Sequence, residues 1–139
     1  MVVDIPYAKL KIGDSAEISK TFSESDIYNF AGICGDFNPL HIDSEAAAKS
    51  PFKKRVVHGM LVASLISAVL GTVLPGKNTI YLEQNLQFKA PVFIGDTITA
   101  RVEVAELQPQ KNVARFKTAV INQSGTKVIE GYAVITKKN

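Results

Sequence analysis

The chain is predicted to be an α+β domain in which an antiparallel sheet of about five strands wraps around one long central helix. Two observations carry this. Between Arg55 and Lys77 lie 21 residues without a formally charged side chain, and beyond them the apolar period changes from helical to alternating. A flat sheet would leave half of so apolar a helix wet, so the sheet has to curve around it. At 139 residues a single domain over 1–139 is expected, burying on the order of 70% of its unfolded surface.

The elements follow in order. Ser15 to Phe22 carries Ala16, Ile18 and Phe22 on one face and reads as a short strand. Ser23 is placed to cap a helix, with Glu24 and Asp26 in its first turn and Ile27, Phe30, Ala31 and Cys34 along one side. Asp43 is a second cap, for a short helix through Ala46-Ala47-Ala48. His58 to about Leu74 is the long helix, apolar nearly all round and therefore expected to be buried on most sides. Four alternating runs complete the chain: Ile80, Leu82, Leu86, Phe88; Ile98, Ala100, Val102, Val104; Ala114, Phe116, Thr118, Val120; and Val128, Tyr132, Val134. Gly95-Asp96, Pro109 to Asn112 and Ser124-Gly125 break them into an expected meander of consecutive strands.

Composition narrows the function classes. Hydrophobic residues at 46% and charged residues at 21% describe a soluble globular chain. The net charge of +3 suits an anionic ligand. Lys53-Lys54-Arg55 is the one dense basic group, read as a solvated turn, so no nucleic-acid partner is expected. The single cysteine, Cys34, excludes an internal disulfide and reads as a small packing residue. With two histidines and one cysteine no metal site is expected. Met1 to Pro6 lacks a basic stretch followed by an apolar core, so no signal peptide and a cytoplasmic residence are expected.

Three local patterns mislead. The uncharged run could span a bilayer by length, but it holds His58, Gly59, Ser64, Ser67, Gly71, Thr72 and Pro75; no membrane partner is expected. Gly71 to Asn78 nearly spells a phosphate-binding loop, yet Asn78 stands where a hydroxyl would bind magnesium, and a helix precedes it rather than a strand. Asn122-Gln123-Ser124 is a glycosylation acceptor in form and a polar turn in context.

Chemistry concentrates in Gly35-Asp36-Phe37-Asn38-Pro39-Leu40-His41. Pro39 fixes its own φ and pushes Asn38 out of the helical region, so Asp36 and His41 are not stacked as a helical pair. Asp and Asn bond nearby backbone, which predicts a self-braced, non-helical loop able to aim a carboxylate and an imidazole at one point. The residues alone also allow a plain connector whose Asp caps and whose His packs. His58, seventeen residues after His41, opens the long helix and reads as a packing or capping residue.

The same string, followed by His58-Gly59-Met60-Leu61, resembles the MaoC-like hydratase family and, within it, the single-domain (R)-specific enoyl-CoA hydratases. The resemblance runs from about Ile18 to the C-terminus and includes Leu74-Pro75-Gly76 and Phe88 to Asp96. It implies the hotdog fold, a homodimer paired through sheet edges, an acyl-CoA substrate and no cofactor. The implied reaction is reversible addition of water to trans-2-enoyl-CoA, giving (R)-3-hydroxyacyl-CoA. Asp36 and His41 would hold and activate the water, with Asp36 favoured as the group that returns a proton to the α carbon.

That reaction also needs donors for a thioester oxygen gaining enolate charge, which the N-terminus of a helix supplies. By the resemblance, the Gly59 amide takes this role, Asn38 braces the loop and Ser67 lines the pocket about two turns along. A serine in a buried helix can equally bond its own i−4 carbonyl. Fold analogy places Leu65, Leu70 and Ile135 around the acyl chain and favours short chains. A dehydratase on acyl carrier protein, an acyl-thioesterase and a non-enzymatic acyl-binding module are the competing classes.

Overall fold

The computed structural model describes residues 1–139. Strand β1 (Ser15–Thr21) leads into helix α1 (Glu24–Cys34), the short helices α2 (Pro39–Ile42) and α3 (Ser44–Ala48), and the long helix α4 (Gly59–Thr72). Strands β2 (Thr79–Phe88), β3 (Thr97–Gln108), β4 (Val113–Ile121) and β5 (Lys127–Lys137) follow. All five strands belong to one antiparallel sheet in the order β1-β3-β4-β5-β2.

Helix α4 lies against this sheet, with Val62, Ile66, Val69 and Leu70 each 2% exposed or less. They meet Ile98, Ala100, Val102 and Val104 of β3, Ala114, Phe116 and Val120 of β4, and Ile129, Ala133 and Ile135 of β5 in one core. This is the hotdog arrangement, an apolar helix cradled in a curved sheet. No helix is long and apolar enough to cross a membrane.

The expected meander holds only for β3, β4 and β5. β2 pairs with β5 and not with β3, so residues 89–96 carry the chain from one edge of the sheet toward the other. Two strand phases also differ from expectation. A bulge at Leu82 shifts the register of β2, and Ile80 and Leu82 are 45% and 56% exposed instead of facing the core. In β5, apolar residues occupy both parities, and Ile129, Ala133 and Ile135, rather than Tyr132 and Val134, lie in the central cluster. Alternation alone cannot choose between two apolar faces.

Helix starts match the chemistry read from sequence. Ser23 accepts from the Asp26 amide while Asp26 accepts from the Ser23 amide, a reciprocal cap, and Asp43 accepts from Glu45 and Ala46. Cys34 is exposed at the end of α1, so it is not the packing residue expected. Asn122 accepts from the Ser124 and Thr126 amides, making the polar turn.

Lys137 is fully buried although it is a lysine. Its ammonium donates to Asp4 Oδ1 at 2.7 Å and to Asn139 Oδ1, tying the two ends of the chain together. The hydrogen bond from Lys137, and then that from Asn139, holds the Asp4 carboxyl below its usual range. A depressed folded pKa contributes stability that is present above the unfolded value and lost as pH falls through the folded one. Asp4→Asn is therefore expected to lower the urea midpoint at pH 7, with the gap to the parent closing as pH is taken down to about 2.

Candidate active site

The segment from Gly35 to His41 is built by successive caps. α1 ends on Gly35 at φ 84°, a left-handed turn that glycine adopts without Cβ strain. The Asn38 amide then donates to Asp36 Oδ1 at 3.1 Å, and the Leu40 amide to Asn38 Oδ1 at 3.1 Å. Pro39 occupies the first helical position, where its missing N–H costs nothing, so the expected non-helical loop is corrected: one turn of helix, α2, starts there and carries His41. Asn38 braces the loop from both its backbone and its side chain.

His41 is buried, and its Nδ1 lies 2.8 Å from the Val56 carbonyl. A carbonyl only accepts, so Nδ1 carries the proton, and in the neutral imidazole Nε2 presents a lone pair. That nitrogen lies 3.8 Å from Asp36 Oδ2, on a carboxylate half open to solvent. The separation is too long for a direct hydrogen bond, but both atoms can reach one oxygen placed between them.

Arg55 is not part of a solvated turn. Its side chain is 9% exposed, donating from Nε to the His41 carbonyl at 2.7 Å and from a terminal nitrogen to Glu24 at 2.5 Å. The Arg55 guanidinium, followed by the Tyr28 hydroxyl, holds the Glu24 carboxyl below its usual range. This ion pair joins α1 to α2 behind the histidine. Lys53 and Lys54 are exposed, as expected.

His58 immediately precedes α4 but makes no side-chain cap. Its Nε2 lies 2.9 Å from the Asp36 carbonyl, and its ring stacks on His41 at 3.8 Å. Asp36, His41 and His58 offer potential metal-ligand atoms within 4.8 Å of one another. One nitrogen of each histidine is already committed to a backbone carbonyl.

Beside His41 opens a largely apolar cavity of about 380 Å³, lined also by Gly59, Phe52, Val62, Phe88 and Ile129. The amides of the first turn of α4 lack intrahelical acceptors, which leaves the Gly59 N–H available at the cavity wall. A Cβ at Gly59 would lie 2.8 Å from Cε1 of Phe88, so glycine lets that ring approach the helix end.

The structure thus brings Asp36, Asn38, His41 and Gly59 together. Ser67 is exposed on α4, eight residues beyond Gly59 and off the cavity lining. Leu65, Leu70 and Ile135, expected around an acyl chain, are 7%, 1% and 0% exposed within the hydrophobic core and do not line this cavity either. Sequence reasoning missed Arg55 and the Phe52 and Phe88 walls. The adjacency of Arg55 to the apolar Val56-Val57 was the available sign that it turns inward.

A model of the MaoC like domain matches residues 9–126. The chain belongs to the MaoC-like family. Among its relatives, an (R)-specific enoyl-CoA hydratase of Rhodospirillum rubrum is 51% identical over 93% of this chain and 89% of that protein. An (R)-specific enoyl-CoA hydratase of Aeromonas caviae is 47% identical over 91% and 94%. The solved structure of the R-hydratase PhaJ1 from Pseudomonas aeruginosa, unliganded, matches with a TM-score of 0.92 at 47% identity, covering 98% of this chain and 87% of that one. In this MaoC-like chain the string that suggested the family runs from the α1 cap at Gly35 through the loop and into α2, where His41 sits. Asn38→Ala removes the cap of α2 and is expected to cost about 1 kcal/mol in urea denaturation.

Proposed function

We propose that this chain is an (R)-specific enoyl-CoA hydratase, a hydro-lyase that adds water reversibly to trans-2-enoyl-CoA to give (R)-3-hydroxyacyl-CoA. One observation carries the reading: Asp36 Oδ2 and His41 Nε2 face each other across 3.8 Å, with His41 in the wall of an apolar cavity that also exposes the start of α4. The hydratase relatives support the substrate class, and the resemblance together with the placement of Asp36, His41 and Gly59 supports their roles.

A water between the two groups donates one hydrogen to Asp36 and the other to His41 Nε2. Its oxygen bonds to the β carbon as Asp36 takes the first proton. The C=C electron pair moves toward the thioester, whose oxygen gains charge and is met by the Gly59 N–H and the positive end of the helix. Asp36 then gives its proton to the α carbon on the same face, so one water is consumed and both groups are restored. His41 stays oriented throughout by its Nδ1–H bond to Val56. These steps need no metal or organic cofactor, coenzyme A being part of the substrate. A cavity of about 380 Å³ lined by Phe52, Phe88 and Ile129 supports short acyl chains. Cytoplasmic residence is part of the same reading.

A second subunit completes the proposal. β2 is an edge strand with Ile80, Leu82 and Phe88 exposed, and Met60 of α4 is 59% exposed. An unpaired apolar edge of this kind favours pairing with a second copy. Sedimentation equilibrium at micromolar concentration is expected to return twice the 15.1 kDa chain mass; a single-chain mass would overturn the homodimer.

Crotonyl-CoA hydration tests the chemistry. Asp36→Asn and His41→Gln are each expected to lose on the order of 10²–10⁴-fold in kcat/KM while remaining folded. Near-parental rates in either variant, or release of free CoA thiol by the parent, would sink the assignment. Running the parent from C4 to C12 enoyl-CoAs in the same assay is expected to show kcat/KM falling with length.

A further inference from the structure

We propose that His58 is a positioning residue that sets the proton-handling pair against the oxyanion-binding end of α4; the proposal rests on the hydratase reading. His58 is 2% exposed and makes two contacts with that pair at once. Its Nε2 lies 2.9 Å from the Asp36 carbonyl across 22 residues of chain, so Nε2 carries a proton and donates. Its ring stacks on His41 with centroids 3.8 Å apart and planes 25° from parallel, and Phe30 closes the edge at 4.9 Å.

These contacts differ in kind from the others around the pair. The Asn38 amide holds the Asp36 carboxylate locally, two residues away, and moves with the loop. Val56 fixes His41 within its ring plane, but leaves tilt out of that plane free. The His58 stack removes the tilt. Its bond to Asp36 also ties the loop to the residue immediately before Gly59, so the distance from the acid to the helix end depends on it. Packing alone is a poor explanation of the imidazole: Nδ1 is buried and makes no hydrogen bond. An orphaned polar atom is a cost that phenylalanine would avoid, and the histidine is explained by what Nε2 does.

Two variants separate the contacts. His58→Phe keeps a ring against His41 and loses the bond to Asp36; His58→Gln keeps a donor of similar reach and loses the stack. With crotonyl-CoA, His58→Phe is expected to lower kcat on the order of 10²-fold, as a displaced acid–base pair does, with KM little changed. His58→Gln is expected to recover about tenfold of that loss. The limbs of the kcat/KM pH profile are expected to move in His58→Phe, because Asp36 and His41 change surroundings. Unchanged limbs with near-parental kcat in folded His58→Phe, or no recovery in His58→Gln, would overturn the proposal. Imidazole nitrogen NMR of the parent gives a check independent of variant folding and of turnover: His58 is expected as the Nε2–H tautomer, and an Nδ1–H tautomer would refute the bond to Asp36. An inactive parent with the Nε2–H tautomer would defeat the hydratase reading and, with it, the role claimed for His58.

Discussion

Burial of α4 is the constraint on which the remaining structure depends. A helix of 14 residues is marginal in water by itself, so its stability has to come from the sheet around it. Each buried Val, Leu or Ile contributes about 1.5–3 kcal/mol on leaving water, and α4 places Val62, Leu65, Ile66, Val69 and Leu70 in the core. Burying that surface fixes the axis of the helix, and with it the direction in which its free N-terminal amides point.

The polar site is assembled on a separate scaffold at that end. α1, α2 and α3 form a short helical overhang joined by caps at Ser23, Asn38 and Asp43. Caps define the local path of the chain but not the position of the overhang over the core. Two longer ties do that: Arg55, bridging the His41 carbonyl and Glu24, and the His58 bond to Asp36. Both residues lie in the segment that enters α4. The overhang is thereby referenced to the helix end, and the Asp36 carboxylate of the loop comes to face the buried His41 imidazole of α2, which forms part of the wall of an apolar cavity. Reacting groups held on rigid supports need less reorganisation at the moment of reaction.

The places where expectation and structure part have a common origin. The β2 bulge, the phase of β5 and the crossing from β2 to β3 are decided by which strands become neighbours, and pairing partners are not encoded in the period of a single strand. Arg55 looked solvated because it follows two lysines, yet desolvating a guanidinium becomes tolerable where a carboxylate and a carbonyl wait for it. Lys137 is buried for the same reason, with Asp4 brought to it from the far end of the chain.

What the sequence by itself determined is local: the caps at Ser23 and Asp43, the long apolar helix, the presence of the later strands though not the phase of β2 and β5, and a Pro39-braced segment carrying an acid and an imidazole, together with the family they resemble. Each of these depends on residues within a few positions of one another. Only the tertiary structure decided that His41 takes its tautomer from Val56, that Arg55 and His58 are supports, that Leu65, Leu70 and Ile135 are core, and that Phe52 and Phe88 wall the cavity. Those outcomes turn on distances between groups far apart in the chain, which burial of the helix and pairing of the strands must establish before any such contact exists.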